Sequence, residues 1–207
     1  MIALPRLYAI ADAQFGDPVQ IAQCLLAGGA RLIQVRYKNA GGGEFFGCVQ
    51  RVLAMAPADA RIIVNDRVDV ALITGAAGVH LGQTDLAPTA VRSILGLDRI
   101  VGFSTHNLHQ ALEADQFFID YIAVGPIFRT TSKQNPDPPV GLEGLAEISK
   151  AVHKPIVAIG GIKIEQAKEV LQAGARSVAV IRDLLESGDV AARTRQWIHI
   201  LETTGRI

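Results

Sequence analysis

A chain of 207 residues, 49% hydrophobic and 19% charged, carries enough apolar surface for one sizeable core, and residues 1–207 are expected to form a single domain. Its 20 Lys and Arg balance its 20 Asp and Glu, so no global field favours nucleic acid or an anionic membrane, and any anion site has to be local. Pro5 and Arg6 interrupt the apolar start MIALPRLYAI, and no later stretch is long and apolar enough to span a bilayer; the expectation is a cytoplasmic protein in which Cys24 and Cys48, without metal-ligand spacing or disulfide density, are small buried residues.

Short β-rich runs recur at Leu7–Ile10, Arg31–Val35, Arg61–Val64, Gly78–Leu81, Ile100–Phe103, Tyr121–Val124, Pro155–Ile159 and Ser177–Val180. Between most of them lie stretches with helical spacing, among them Pro18–Ala27, Gly43–Ala54, Leu108–Ala114 and Ile164–Ala173. That alternation predicts a parallel sheet with crossover helices, and eight units predict closure into an α/β (β/α)8 TIM barrel. A weak internal repeat agrees: AGGARLIQV, TGAAGVHLG and AGARSVAV each place glycine after a helix and send the chain into an apolar strand. An open doubly wound sheet would normally carry a glycine-rich turn after its first strand, where this chain has AIADAQFGD. The stretch from Phe128 to Gly141, rich in Pro, Thr and Ser, is too long for a simple connection and reads as a lid or binding loop.

In LIQVRYK, alternation places Gln34, Arg36 and Lys38 on one face, with the two cations near the strand end that opens into a barrel's mouth. They either meet a di- or triphosphate there or pair with helix carboxylates. The next strand turns abruptly polar at Asn65 and Asp66, and GVHLGQTD brings Asp85 from the following loop. Asp66 and Asp85 form a plausible oxygen platform for Mg²⁺, or each caps the helix after it. In GFSTHN, Ser104 faces the mouth without a G-x-S-x-G turn, so it reads as a hydrogen-bonding group and not a nucleophile. His80 and His106 are read as structural histidines at least as readily as acids or bases. The loop RTTSKQNP offers Thr130, Thr131, Ser132 and Lys133, a set suited to phosphate. IVAIGGI brings Gly160 and Gly161 to a strand end, where bare backbone N–H groups can approach a phosphate, and VIRDL could complete that pocket after the eighth strand.

The blocks QVRYK, NDRVDVAL, GVHLGQTD, VGFSTH, DYIAVGPIFRTTSK, PIVAIGGI and GARSVAV, in this order over nearly the whole chain, resemble the thiamine phosphate synthase family. The resemblance implies a transferase that couples a pyrimidine carrying a methyl pyrophosphate to a thiazole phosphate, with Mg²⁺ as cofactor. It implies that Gln34 faces the aminopyrimidine, that Arg36, Lys38, Asn65, Ser104 and Lys133 hold the pyrophosphate, and that Asp66 and Asp85 bind Mg²⁺. Arg36, Lys38, Ser104 and Lys133 would then be the catalytic set. Thr130, Ser132, the backbone at Gly161, and the turn at Ile181 and Arg182 would hold the thiazole phosphate. It also implies small-molecule partners only, and a homodimer.

Two positions depart from the family pattern. Tyr37 stands where an acidic residue is usual, with its side chain expected to point away from the mouth. Arg182 stands where serine is common, and either adds an ion pair to the thiazole phosphate or shifts the loop. The related thiazole tautomerase shares the barrel and phosphate turn but lacks the full pyrophosphate set. A non-catalytic phosphate-ligand-binding barrel is the alternative from a different class.

Overall fold

The computed structural model describes residues 4–130 and 137–204. All eight expected strands are present: β1 (Leu7–Asp12), β2 (Leu32–Arg36), β3 (Arg61–Asn65), β4 (Gly78–Leu81), β5 (Ile100–Thr105), β6 (Tyr121–Val124), β7 (Ile156–Ile159) and β8 (Ser177–Val180). Each pairs in parallel with its neighbours in sequence, and β1 pairs with β8 through Leu7 and Val178, Tyr8 and Ala179, and Ala9 and Val180, so the sheet closes into a barrel.

The strands are apolar on both faces because both faces are covered. Outward residues such as Ala9, Ile33, Val64, Val79 and Val101 join the helices in the larger core. Inward residues Tyr8, Ile10, Leu32, Ile63, Ile100, Tyr121, Val157 and Ala179 fill the barrel itself. Several small residues make room for the large ones: a side chain at Gly102 would overlap the ring of Tyr121 on the adjacent strand.

The crossover helices follow local signals. In α1 (Pro18–Ala27) the Asp17 carboxylate accepts the Val19 N–H at 2.9 Å, Pro18 sits in the first turn, and Val19, Ala22 and Leu25 form the buried stripe. Cys24 lies on the other, exposed side of that helix, which corrects the expectation of two buried cysteines; Cys48, on α2 (Gly42–Met55), is buried. The third helix, α3 (Val68–Thr74), ends at Gly75 in the left-handed conformation at φ 73°, as the glycine repeat predicts. It is followed by α4 (Pro88–Leu95), α5 (Leu108–Asp115) and α6 (Gly141–Ala151). The helix expected over Ile164–Ala173 divides into a 3-10 turn at Ile164–Gln166 and α7 (Ala167–Gln172), because the Gln166 side chain reaches back to accept the Lys163 N–H at 3.0 Å and tightens the first turn. After β8 the chain forms a four-residue helix, α8 (Arg182–Leu185), and then α9 (Val190–Thr204), which packs against α1 and α7. The Trp197 indole on α9 is fully buried and donates to Asp183 on α8 at 2.6 Å.

Gly102→Ala tests the inner packing. The added methyl has to displace the Tyr121 ring, and the expected cost is about 1–3 kcal/mol, measured as a lower midpoint in chemical denaturation. Gly47→Ala, on α2 with open space around it, is the control and is expected to hold or raise the midpoint.

Candidate functional site

The C-terminal ends of the strands open into a cavity of about 1620 Å³. Single-ligand pockets commonly span roughly 300–1,000 Å³, so this mouth has room for two small substrates side by side. Gln34, Arg36, Lys38, Asn65, Asp66, Asp85, Ser104, Thr130, Gly161, Ile181 and Arg182 all line it. Ser132 and Lys133, together with Thr131, lie outside the described residues.

One wall is built of interleaved charges. Arg36, at the end of β2, donates to Asp12, at the end of β1, across 2.7 Å, and Asp12 is only 1% exposed. The partner is therefore a neighbouring strand end within the mouth and not a helix carboxylate. The other Asp12 oxygen accepts the Gln14 N–H at 3.1 Å, so the carboxylate and the guanidinium it holds are both fixed. Lys38 reaches Asp66 at 2.6 Å. Asp66 occupies the left-handed region at φ 62°, a conformation that costs free energy for a residue with a side chain and collects at functional sites.

Neither acid caps a helix. The residue preceding α3 is Arg67 and that preceding α4 is Ala87, each without a side-chain cap. Instead the Asp85 carboxylate accepts the Gly82 N–H at 2.7 Å. Its carboxyl is pushed above the ordinary carboxylate range, first by burial and then by the Asp66 carboxylate beside it.

Below the charged rim runs a line of hydrogen-bonded side chains. Gln34 Nε2 donates to the Tyr8 hydroxyl at 3.0 Å, and the Tyr8 and Tyr121 hydroxyls are 2.9 Å apart. The Tyr121 hydroxyl lies 2.9 Å from His80 Nδ1, and His80 Nε2 lies 2.8 Å from Ser104 Oγ. The His80 and Tyr121 rings stack with centroids 5.6 Å apart. His80 thus has the hydrogen-bonded, structural role weighed for it. His106 does too, its Nδ1–H donating to the Gly125 carbonyl at 2.5 Å at the base of the loop after β6.

That loop is pinned where it leaves and where it returns: the Phe128 N–H donates to the Gly160 carbonyl at 2.9 Å, and the Val140 N–H to the Pro126 carbonyl at 2.8 Å. A side chain at Gly161, which sits at φ 68°, would come within 2.8 Å of the Phe128 carbonyl oxygen. The glycine is therefore required by close packing as well as by the turn. On the far side, Ile181 precedes α8, so the expected turn at VIRDL is the start of a short helix. The Arg182 guanidinium lies 5.5 Å from the centre of the Phe15 ring and pairs with Glu186 at 2.9 Å. Tyr37 points out of the mouth, its hydroxyl donating to Glu44 at 2.6 Å.

The sequence does not single out Asp12, Tyr8 or Tyr121. Asp12 had a usable signal, since AIAD turns polar at a strand end as VND does. The tyrosines had none, because their alternation fits an ordinary apolar core.

A family model described as thiamine monophosphate synthase matches residues 7–184. The thiamine-phosphate synthase of Koribacter versatilis is 43% identical, covering 98% of each chain. That of Clostridium novyi is 38% identical over 94% of this chain and 98% of its own. Among solved structures, thiamine phosphate pyrophosphorylase from Pyrococcus furiosus superimposes with a TM-score of 0.87 at 36% identity, covering 97% of both chains.

The inner tyrosines generate a pH prediction. Burial raises the Tyr8 and Tyr121 hydroxyls well above the ordinary phenol range, whereas in the unfolded chain they ionise near pH 10. The folded state thus retains protons that the unfolded state releases, so this contribution to stability is complete below about pH 10 and is lost as pH rises above it. Denaturation midpoints measured against pH should fall above about pH 10, and Tyr8→Phe should make that fall shallower.

Proposed function

The chain belongs to the thiamine monophosphate synthase family, and from that premise we propose how its residues carry out the synthesis. The enzyme is a transferase that joins the aminopyrimidine of a methyl pyrophosphate to a thiazole phosphate, releasing thiamine phosphate and pyrophosphate. The observation that carries the mechanism is the convergence of Arg36, Lys38, Asn65 and Ser104 with the Asp66 and Asp85 pair on one two-substrate cavity.

The reaction is dissociative. The bond between the methylene carbon and the pyrophosphate oxygen breaks with its electrons going to the leaving group; the pyrimidine amino group stabilises the methylene cation, and the thiazole nitrogen then attacks. Arg36, Lys38, Asn65, Ser104 and Lys133 hold the pyrophosphate and stabilise the charge that grows on it. Asp12 keeps the Arg36 guanidinium aimed at that position. Gln34 faces the aminopyrimidine, while Thr130, Ser132, the Gly161 backbone, Ile181 and Arg182 hold the thiazole phosphate, so the two substrates meet without a protein nucleophile. The loop from Phe128 to Gly141 excludes water that would otherwise capture the cation.

The acidic pair fits Mg²⁺. Two adjacent carboxylates, one of them made harder to ionise by burial and then by the other, favour a hard cation between them. The described residues contain no group of three or more His, Cys, Asp or Glu side chains able to hold a metal, so the ion would complete its shell with water and substrate phosphate, as Mg²⁺ commonly does. Bound there, Mg²⁺ supplies countercharge to the departing pyrophosphate. By the same reading the enzyme is a cytoplasmic homodimer with no membrane or nucleic-acid partner; among the described residues no helix is long and apolar enough to cross a membrane.

The purified protein with Mg²⁺ and both substrates is expected to release pyrophosphate and form thiamine phosphate, and to do neither when one substrate is omitted. No release from folded protein would return the chain to a tautomerase or a silent binding barrel. Lys133→Ala is expected to lower kcat by roughly 10²- to 10³-fold; unchanged turnover would remove the loop from the mechanism. Asp66→Asn should raise the Mg²⁺ concentration needed for half-maximal rate, read from a metal titration of pyrophosphate release.

A further inference from the structure

Gln34, Tyr8, Tyr121, His80 and Ser104 come from five different strands and form one unbroken hydrogen-bonded line, with links of 3.0, 2.9, 2.9 and 2.8 Å. Both end residues line the mouth, as does His80, while the two tyrosines are buried in the barrel interior. No link involves a carboxylate, an ammonium or a guanidinium. Each hydroxyl has one proton to give, and so does a neutral imidazole, so the direction chosen at one end of such a line dictates every link along it.

In the observed arrangement Gln34 Nε2 donates to Tyr8. The Tyr8 proton then has the Tyr121 oxygen as its acceptor, the Tyr121 proton has His80 Nδ1, and His80 carries its own proton on Nε2 and gives it to Ser104. The Ser104 hydroxyl proton is left over, as is the Gln34 Oε1 acceptor; among the described residues neither side chain makes a hydrogen bond outside the line. Turning the Gln34 amide over reverses every link. Gln34 then presents N–H groups to the mouth and Ser104 presents a lone pair.

We propose that this line couples recognition at its two ends, with Tyr8, Tyr121 and His80 as positioning residues: a ring that offers an N–H to Gln34 sets the Ser104 hydroxyl as a donor to the pyrophosphate. The proposal rests on the placement of the aminopyrimidine at Gln34 and of pyrophosphate at Ser104. It makes the line a specificity device. An amino substituent needs the acceptor Oε1 and a pyrophosphate oxygen needs a donor, and one proton order satisfies both. A ring with an oxo group at the amino position needs the amide reversed, and the reversal withdraws the donor from the anion. Discrimination at one subsite is thereby felt at the other, beyond the direct contacts of either.

Binding, not turnover, tests this, because the amino group is also needed for the chemistry. Pyrophosphate with Mg²⁺ is titrated calorimetrically into the full chain, alone and with saturating aminopyrimidine alcohol, which has no leaving group. The alcohol is expected to tighten pyrophosphate binding by roughly tenfold, and its 4-oxo analogue to give no tightening. Tyr121→Phe and Tyr8→Phe, each removing one hydroxyl and breaking the line, are expected to bind both ligands yet lose the coupling. Nitrogen-15 NMR of the unmutated chain with both ligands bound is expected to show neutral His80 protonated on Nε2, a readout independent of whether either variant folds. Equal tightening by the oxo analogue, coupling that survives both Phe variants, or His80 protonated on Nδ1 overturns the proposal. Gln34→Ala and Ser104→Ala separate it from the placement beneath it: if they leave the affinities for the alcohol and for pyrophosphate unchanged, the placement itself is wrong. If they weaken them while coupling persists in the Phe variants, only the line fails.

Discussion

Closure of the parallel sheet is the constraint on which the rest of the molecule depends. Once β1 hydrogen-bonds to β8, no strand edge remains, and alternate side chains of every strand are sealed inside a barrel. A polar atom enclosed there has to find its partner within the barrel or at its mouth. Gln34, Tyr8, Tyr121 and His80 satisfy one another in this way, and among the described residues no buried side-chain nitrogen or oxygen is left without a partner. The glycine at 102 belongs to the same economy of space, since the line of hydroxyls requires the Tyr121 ring to lie where any larger residue would collide with it.

Above that sealed layer the strand ends reach the mouth, and the chain's balanced charge is redistributed locally. Asp12 holds Arg36, Asp66 holds Lys38, and Asp85 stands beside Asp66. A cation held by a carboxylate is fixed in direction before any ligand arrives. Such preorganisation makes an electrostatic site effective, because little reorientation remains to be done as charge develops. The strained backbone at Asp66 has the same logic: the conformation sets its carboxylate between Lys38 and Asp85 instead of leaving it as a helix cap.

The opposite side of the mouth sets backbone groups beside its charged side chains. The β7 turn at Gly160 and Gly161 is packed against the loop that follows β6, and the short helix α8 begins at Arg182 before α9 closes the ring of helices. Barrels often form a phosphate site from the loops after their seventh and eighth strands and a short extra helix, and these elements occupy those positions. The sequence shows the extra helix only as a turn, because four residues are too few to display helical periodicity.

The order of elements, the inward or outward direction of each strand residue, and the polar switch at each strand end were set by local sequence. A strand's alternation and a helix's repeat are properties of neighbouring residues, so Gln34, Arg36 and Lys38 could be assigned to one face from LIQVRYK alone. Partner choice was not local. Arg36 selects Asp12 from 24 positions away, and Tyr8 selects Tyr121 from 113 positions away. Only tertiary structure decided these matters, because a hydrogen bond is specified by a distance of about 3 Å in space, and closing the barrel is what brings residues far apart in the chain to that distance.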